Sequence, residues 1–230
     1  AMRPSGWVYA SPSSVLPQGS LPWPGLTQAA GELVVDRSVL QVKLSRANLA
    51  GGPGLRVGKV DGVVSHLYGG ATVDVDAEVQ GPLAEGLAVV NTSPLGDITN
   101  KVLAQASATG VADYRFRLGF PIAAIEKMTV QGAVVLGGND LQILPEIPRL
   151  ARARGTVGFS HTGFSITGGQ ARALGGDVRI EGGLSTTAAP PMGAGKATMP
   201  STLRVQGVAT AEGLQQAREL GLATRLGQYA

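Results

Sequence analysis

Ala112-Asp113-Tyr114-Arg115-Phe116-Arg117-Leu118-Gly119-Phe120 decides the fold class. Ala112, Tyr114, Phe116, Leu118 and Phe120 take every second place, with Asp113, Arg115, Arg117 and Gly119 between them. A period of two belongs to a β-strand, because successive side chains leave the pleated backbone on opposite faces. One face of this strand is therefore apolar and the other charged. Upstream, Val73, Val75, Ala77 and Val79 alternate with Thr72, Asp74, Asp76 and Glu78, and Leu40, Val42 and Leu44 alternate with Gln41, Lys43 and Ser45. Further strands are expected at Met128–Leu136, Thr156–Ser160, Gly163–Thr167, Asp177–Gly182 and Thr202–Ala209.

Glycine makes up 34 of 230 residues, about twice the usual share. Many fall in pairs between the expected strands: Gly51-Gly52, Gly69-Gly70, Gly137-Gly138, Gly168-Gly169 and Gly175-Gly176. Glycine reaches the positive φ that tight hairpins require, so the pairs read as turn punctuation. The expectation is a mainly β protein: a large, twisted antiparallel sheet curled into a groove or half-pipe, with a few short helices.

Helical spacing appears at Pro82–Val90, at Asp97–Ala106 (Ile98, Val102, Leu103 and Ala106 on one side) and at Glu212–Leu220. Thr210 is placed to cap the last helix and Gly221 to stop it. Val79-Gln80-Gly81 followed by Ala84-Glu85-Gly86-Leu87 is echoed by Val205-Gln206-Gly207 followed by Ala211-Glu212-Gly213-Leu214. The echo predicts a strand–helix unit used twice, over 72–106 and 202–221. Residues 1–30, with Trp7 and Trp23, show no period and read as an extended N-terminal segment; residues 31–230 read as one β-rich domain.

The chain has no cysteine and two histidines, which removes disulfides, thiol catalysis and cysteine zinc sites. A net charge of +3 and the lack of aromatics among Arg149, Arg152 and Arg154 argue against nucleic acid as a partner. No apolar run reaches the ~18 residues a membrane helix needs, and no secretory signal stands at the start. Gly193-Ala194-Gly195-Lys196-Ala197-Thr198 fails as a phosphate loop, because Ala197 stands where Ser or Thr must follow the lysine. Asp74, Asp76 and Glu78 lie ~7 Å apart along a strand, too far to share one ion, and read as a solvated face. His161 has no partner constellation and no Gly-x-Ser-x-Gly elbow is present. No catalytic residue, metal site or cofactor is expected, and the chain reads as a non-enzyme.

The order of elements from Gly132 to Gly183 carries a resemblance. It comprises a strand with an Asn139-Asp140 turn, then Leu144-Pro145 and Pro148, then Gly155, Val157 and Phe159. Gly163-Phe164-Ser165-Ile166 follows, and then Leu174-Gly175-Gly176-Asp177-Val178-Arg179-Ile180-Glu181-Gly182. Upstream stand Ala77–Leu83, Ser93-Pro94-Leu95-Gly96 and Gly110–Pro121. In this order the chain resembles the AsmA-like superfamily, and most closely its YhdP-type members of the Gram-negative envelope.

The resemblance implies a periplasmic segment of a long protein anchored in the inner membrane, the anchor lying outside this chain. It implies lipid transport between the inner and outer membranes, with phospholipid acyl chains as partners along a β groove. Flanking segments of the same long chain and other envelope proteins are further expected partners. An aliphatic face suits that role physically, since each buried CH₂ contributes about 0.8 kcal/mol without any polar readout. The candidate groove positions are Val73, Val75 and Val79; Tyr114, Phe116 and Leu118; Val130 and Val134; Val157 and Phe159; Phe164 and Ile166; Val178 and Ile180. The same positions would line an ordinary β core. A structural or assembly module acting through its sheet edges is the competing expectation.

Overall fold

The computed structural model describes residues 24–98, 101, 103–124, 127–185 and 202–219. Its strands are β1 (Leu26–Asp36), β2 (Val39–Leu49), β3 (Gly52–Ser65), β4 (Thr72–Pro82), β5 (Ser107–Ala108), β6 (Val111–Pro121), β7 (Thr129–Gln142), β8 (Leu150–Ser160), β9 (Gly163–Ala173), β10 (Gly176–Ser185) and β11 (Thr202–Gly207). Three short helices accompany them: α1 (Leu83–Asn91), α2 (Leu95–Ile98) and α3 (Ala211–Glu219). All the strands form one antiparallel sheet in the order β1-β2-β3-β4-β6-β7-β8-β9-β10-β11, with β5 paired to the far end of β7. The sheet does not close into a barrel. Nine strand spacings separate its edges, β1 and β11, about 43 Å measured along the sheet.

Every strand expected from the alternation is present, and most run longer. β1 begins at Leu26, within the last residues of the span expected as an entry segment; Trp7 and Trp23 lie outside the described residues. Three of the glycine pairs sit at turns as expected, between β2 and β3, between β3 and β4, and between β9 and β10. The other two do not. Gly137-Gly138 and Gly168-Gly169 lie inside β7 and β9, where the register slips between Gly137 and Asn139 and between Ile180 and Gly182. Gly138 (φ 125°) and Gly168 (φ 64°) take up the slip in backbone conformations that a side chain disfavours. Two of the two-residue hairpins turn without glycine, at Arg37-Ser38 and at His161-Thr162.

The expected helix over Asp97–Ala106 is not formed. α2 ends at Ile98, and Lys101 takes a left-handed φ of 56° that no α-helix interior accepts. Beyond it the chain winds in short turns, with Ala104 N–H on Lys101 O and Ala106 N–H on Leu103 O. Asn91 pulls this stretch back by donating its side-chain amide to Leu103 O at 3.0 Å. Val102 lies outside the described residues. At α3 the expected cap is present: Thr210 Oγ1 accepts the Gly213 N–H at 3.1 Å. Gly221 lies outside the described residues.

Both members of the echoed unit are a strand followed by a helix, β4–α1 and β11–α3. Their shared glycines are close-approach positions. A Cβ at Gly86 would meet Tyr114 Oη at 2.6 Å, and one at Gly213 would collide with Leu174 O.

Candidate functional site

The register carries the apolar positions of neighbouring strands into lines that cross the sheet. One line runs Ala47–Val57–Val79–Tyr114–Val134–Val157–Ile166 through seven strands. The next runs Leu44–Val60–Ala77–Phe116–Gly132–Phe159–Phe164. A third passes through Val75, Leu118 and Val130, with Val73 one pleat beyond Val75. Past the slip in β9, Ile180 pairs Gly169, and Val178 pairs Ala171. All fourteen candidate groove residues therefore share one face.

They do not share one environment. α1 lies across this face at the Pro82 end of the strands and divides it into two buried clusters. Val89 closes the first, over Ala47, Leu55, Val57, Val60, Ala77 and Val79. Leu83 closes the second, with Ala108, Ala112, Leu136, Ala153 and Ala171. Val79 is 7% exposed beside this roof and Val130, nearer the opposite margin, 4%. The other twelve candidates are half-buried.

Two polar contacts lock the roof in place. Glu85 in the first turn of α1 accepts the Gly54 N–H of β3 at 2.6 Å. Tyr114 donates its hydroxyl to Pro82 O at 3.3 Å. Burial, followed by the nearby Glu85 carboxylate, pushes the Tyr114 phenol up to about 12. In the second cluster Asn139, 1% exposed, donates to Thr109 O and Val111 O and accepts the Gly137 N–H. A buried amide satisfied in this way fixes the junction of β5, β6 and β7. Phe159 lies over a glycine: a Cβ on Gly132 would meet its ring at 2.5 Å and Phe116 Cβ at 2.9 Å.

The face missed by sequence reading is that of β3. Leu55 and Val57 alternate in one phase, and Val60, Gly62 and Val64 in another, because the register slips between Val57 and Lys59. A bulge of this kind hides a strand from a strict period-two search.

The opposite face is polar. Arg117 binds Asp76 through two hydrogen bonds of 2.8 Å, Arg115 faces Glu78 at 3.7 Å and Lys59 meets Asp61 at 2.7 Å. Gln80 donates to Asp113 at 2.7 Å. The carboxylates Asp76 and Glu78 are thus engaged by cations, as a solvated face would have them. Among the described residues no group of three or more His, Cys, Asp or Glu side chains could hold a metal ion. Beside His161, the Ser160 hydroxyl is bonded to Thr162 rather than to the imidazole.

Lys127 and the arginines near 150 do not form one patch. Lys127 sits in the β6–β7 loop, while Arg149 and Arg152 flank the opposite end of β8. There Asp140 accepts the Arg152 N–H at 2.9 Å and the Arg149 guanidinium at 2.7 Å. These contacts, the Arg152 N–H foremost, hold its carboxyl below the usual range.

A sequence model of the family described as YhdP protein matches residues 20–227. The chain belongs to the YhdP family. The match spans the whole described sheet, so the family pattern and the apolar face are properties of the same residues. No curated protein and no solved structure matches the chain. No helix among the described residues is long and apolar enough to cross a membrane.

Proposed function

We propose that this YhdP-family chain is a periplasmic, non-enzymatic segment of a bridge-like envelope protein. It would hold phospholipid acyl chains on the apolar face of its open sheet as they pass between the inner and outer membranes. The observation that carries the reading is the continuity of that face. Two apolar lines cross seven strands each, and α1 roofs only the Pro82 margin. Aliphatic residues dominate it, and such a face gains free energy from any alkyl chain in proportion to the area buried. Passage along it needs no bond making, only that each methylene leaves one apolar contact for the next.

Lipid extraction and mass spectrometry of the purified chain test the reading, together with photocrosslinking probes at Phe116 and Phe164. Co-purified phospholipid and crosslinks to it are expected. A protein free of lipid that gives no crosslink from either position would overturn the proposal.

A second reading, assembly through sheet edges, is favoured by one observation. β1 exposes Leu33, Val34 and Val35 at 62%, 50% and 65%, and β11 exposes Val205 at 58%. Exposed apolar edge strands are templates for strand addition. Proline at Val34 would reduce any self-association seen by light scattering if this reading holds.

A further inference from the structure

The two halves of the polar face balance charge differently. Across β3, β4 and β6, each of Lys59, Arg115 and Arg117 faces an acid on the neighbouring strand. Lys59–Glu78–Arg115 forms one row and Asp61–Asp76–Arg117 the next. Across β8 to β11 the corresponding row reads Arg154–Gln170–Arg179–Gln206. Arginines are separated here by neutral amides instead of carboxylates. Arg172 and Arg204 lie in adjoining rows, opposite Asp177 and Glu181.

Those two carboxylates do not neutralise the row. Asp177 sits 3.5 Å from Arg172, and Glu181 accepts the Gly168 N–H at 2.9 Å. Arg154, Arg179 and Arg204 are exposed and make no ion pair with any described residue. All the cations of this half are arginines, whose forked donors match phosphate oxygens in pairs.

We infer that the arginine–glutamine face of β8–β11 docks onto the phosphate-bearing surface of an anionic lipid bilayer. Arg154 and Arg179 are two strands apart, about 10 Å. With Arg204 on β11 the exposed arginines spread over three strand spacings, about 15 Å, so together they can meet several phosphates at once. Strand pairing holds the arginines on one side of the sheet. A nucleic acid is also an array of phosphates, but this face offers no aromatic ring on which bases could stack. The surface is on the opposite side of the sheet from the acyl-binding face, so the inference does not depend on that reading.

Co-sedimentation with vesicles tests it. The whole chain is expected to bind vesicles of phosphatidylglycerol and phosphatidylethanolamine at low ionic strength, to leave them as salt rises, and to ignore phosphatidylcholine vesicles. The triple variant R154Q/R179Q/R204Q is expected to bind about 100-fold more weakly, about fivefold for each charge lost. Arg115→Gln and Arg117→Gln, on the paired half, serve as controls and should bind as wild type. Absence of binding to the anionic vesicles, equal binding by the triple variant, or tighter binding to single-stranded DNA than to vesicles would overturn the inference. Photocrosslinking from Phe116 and Phe164 in the triple variant keeps the two readings apart, because lipid there should be unchanged.

Discussion

Val79 and Val73 lie on the same strand and the same face, six residues apart, yet one is core and the other is not. Val79 is packed beneath α1 with Leu55, Val57 and Val89, whereas Val73 lies beyond the helix and is half-buried. The alternation that places them is identical. What separates them is a nine-residue helix that covers one margin of the sheet and leaves the other without a described helix over it. The same residue type is therefore packed under a helix at one position and half-buried without one at the other.

Matched substitutions along β4 are the strongest way to break that contrast. Val79→Asp puts an unpaired carboxylate under the roof and should cost about 4 kcal/mol, against about 1 kcal/mol for Val73→Asp. Urea unfolding of both variants reads the difference, and equal losses would mean that α1 does not divide the face as described.

A smaller effect sharpens the boundary itself. Tyr114→Phe removes the bond to Pro82 O and should cost about 1 kcal/mol. Its pH dependence is more specific. The folded-state value of about 12 lies above the ordinary 10.0, so the native state holds the phenolic proton more tightly than the unfolded chain. That contribution is complete below pH 10 and is lost as pH rises toward 12. Wild type should therefore lose stability more steeply than Tyr114→Phe in this window, and parallel pH profiles would argue that the phenol is not held at the edge of α1.

The smallest effect belongs to the polar face. Arg117→Gln breaks the two-bonded pair with Asp76, but the pair is half exposed and should contribute less than about 1 kcal/mol. The loss should shrink further in high salt. A large, salt-independent loss would show that the polar face bears on the core, contrary to its exposure.

The strands were legible because alternation is a local signal: Ala112–Phe120 can satisfy both of its faces only as a strand. The cap of α3 was legible for the same reason, since Thr210 stands at the turn it closes. The helix over Asp97–Ala106 was misread because its apolar spacing is real, while a left-handed Lys101 and the Asn91 bond to Leu103 O override it. Gly137-Gly138 and Gly168-Gly169 were misread as turns because glycine supplies the same φ freedom to a bulge. The fourteen candidate positions share one face, but β3 is not among them, because its period slips at Gly58, between Val57 and Lys59.

By itself the sequence determined most of the strands, their two unlike faces and the family, because each rests on residue order within short windows. Only the tertiary structure decided which apolar residues α1 roofs and which arginines lack a counter-ion among the described residues. Both depend on pairing between strands, such as Glu85 on Gly54, 31 residues apart, and Gln170 between Arg154 and Arg179, 16 and 9 residues away, which no local pattern specifies.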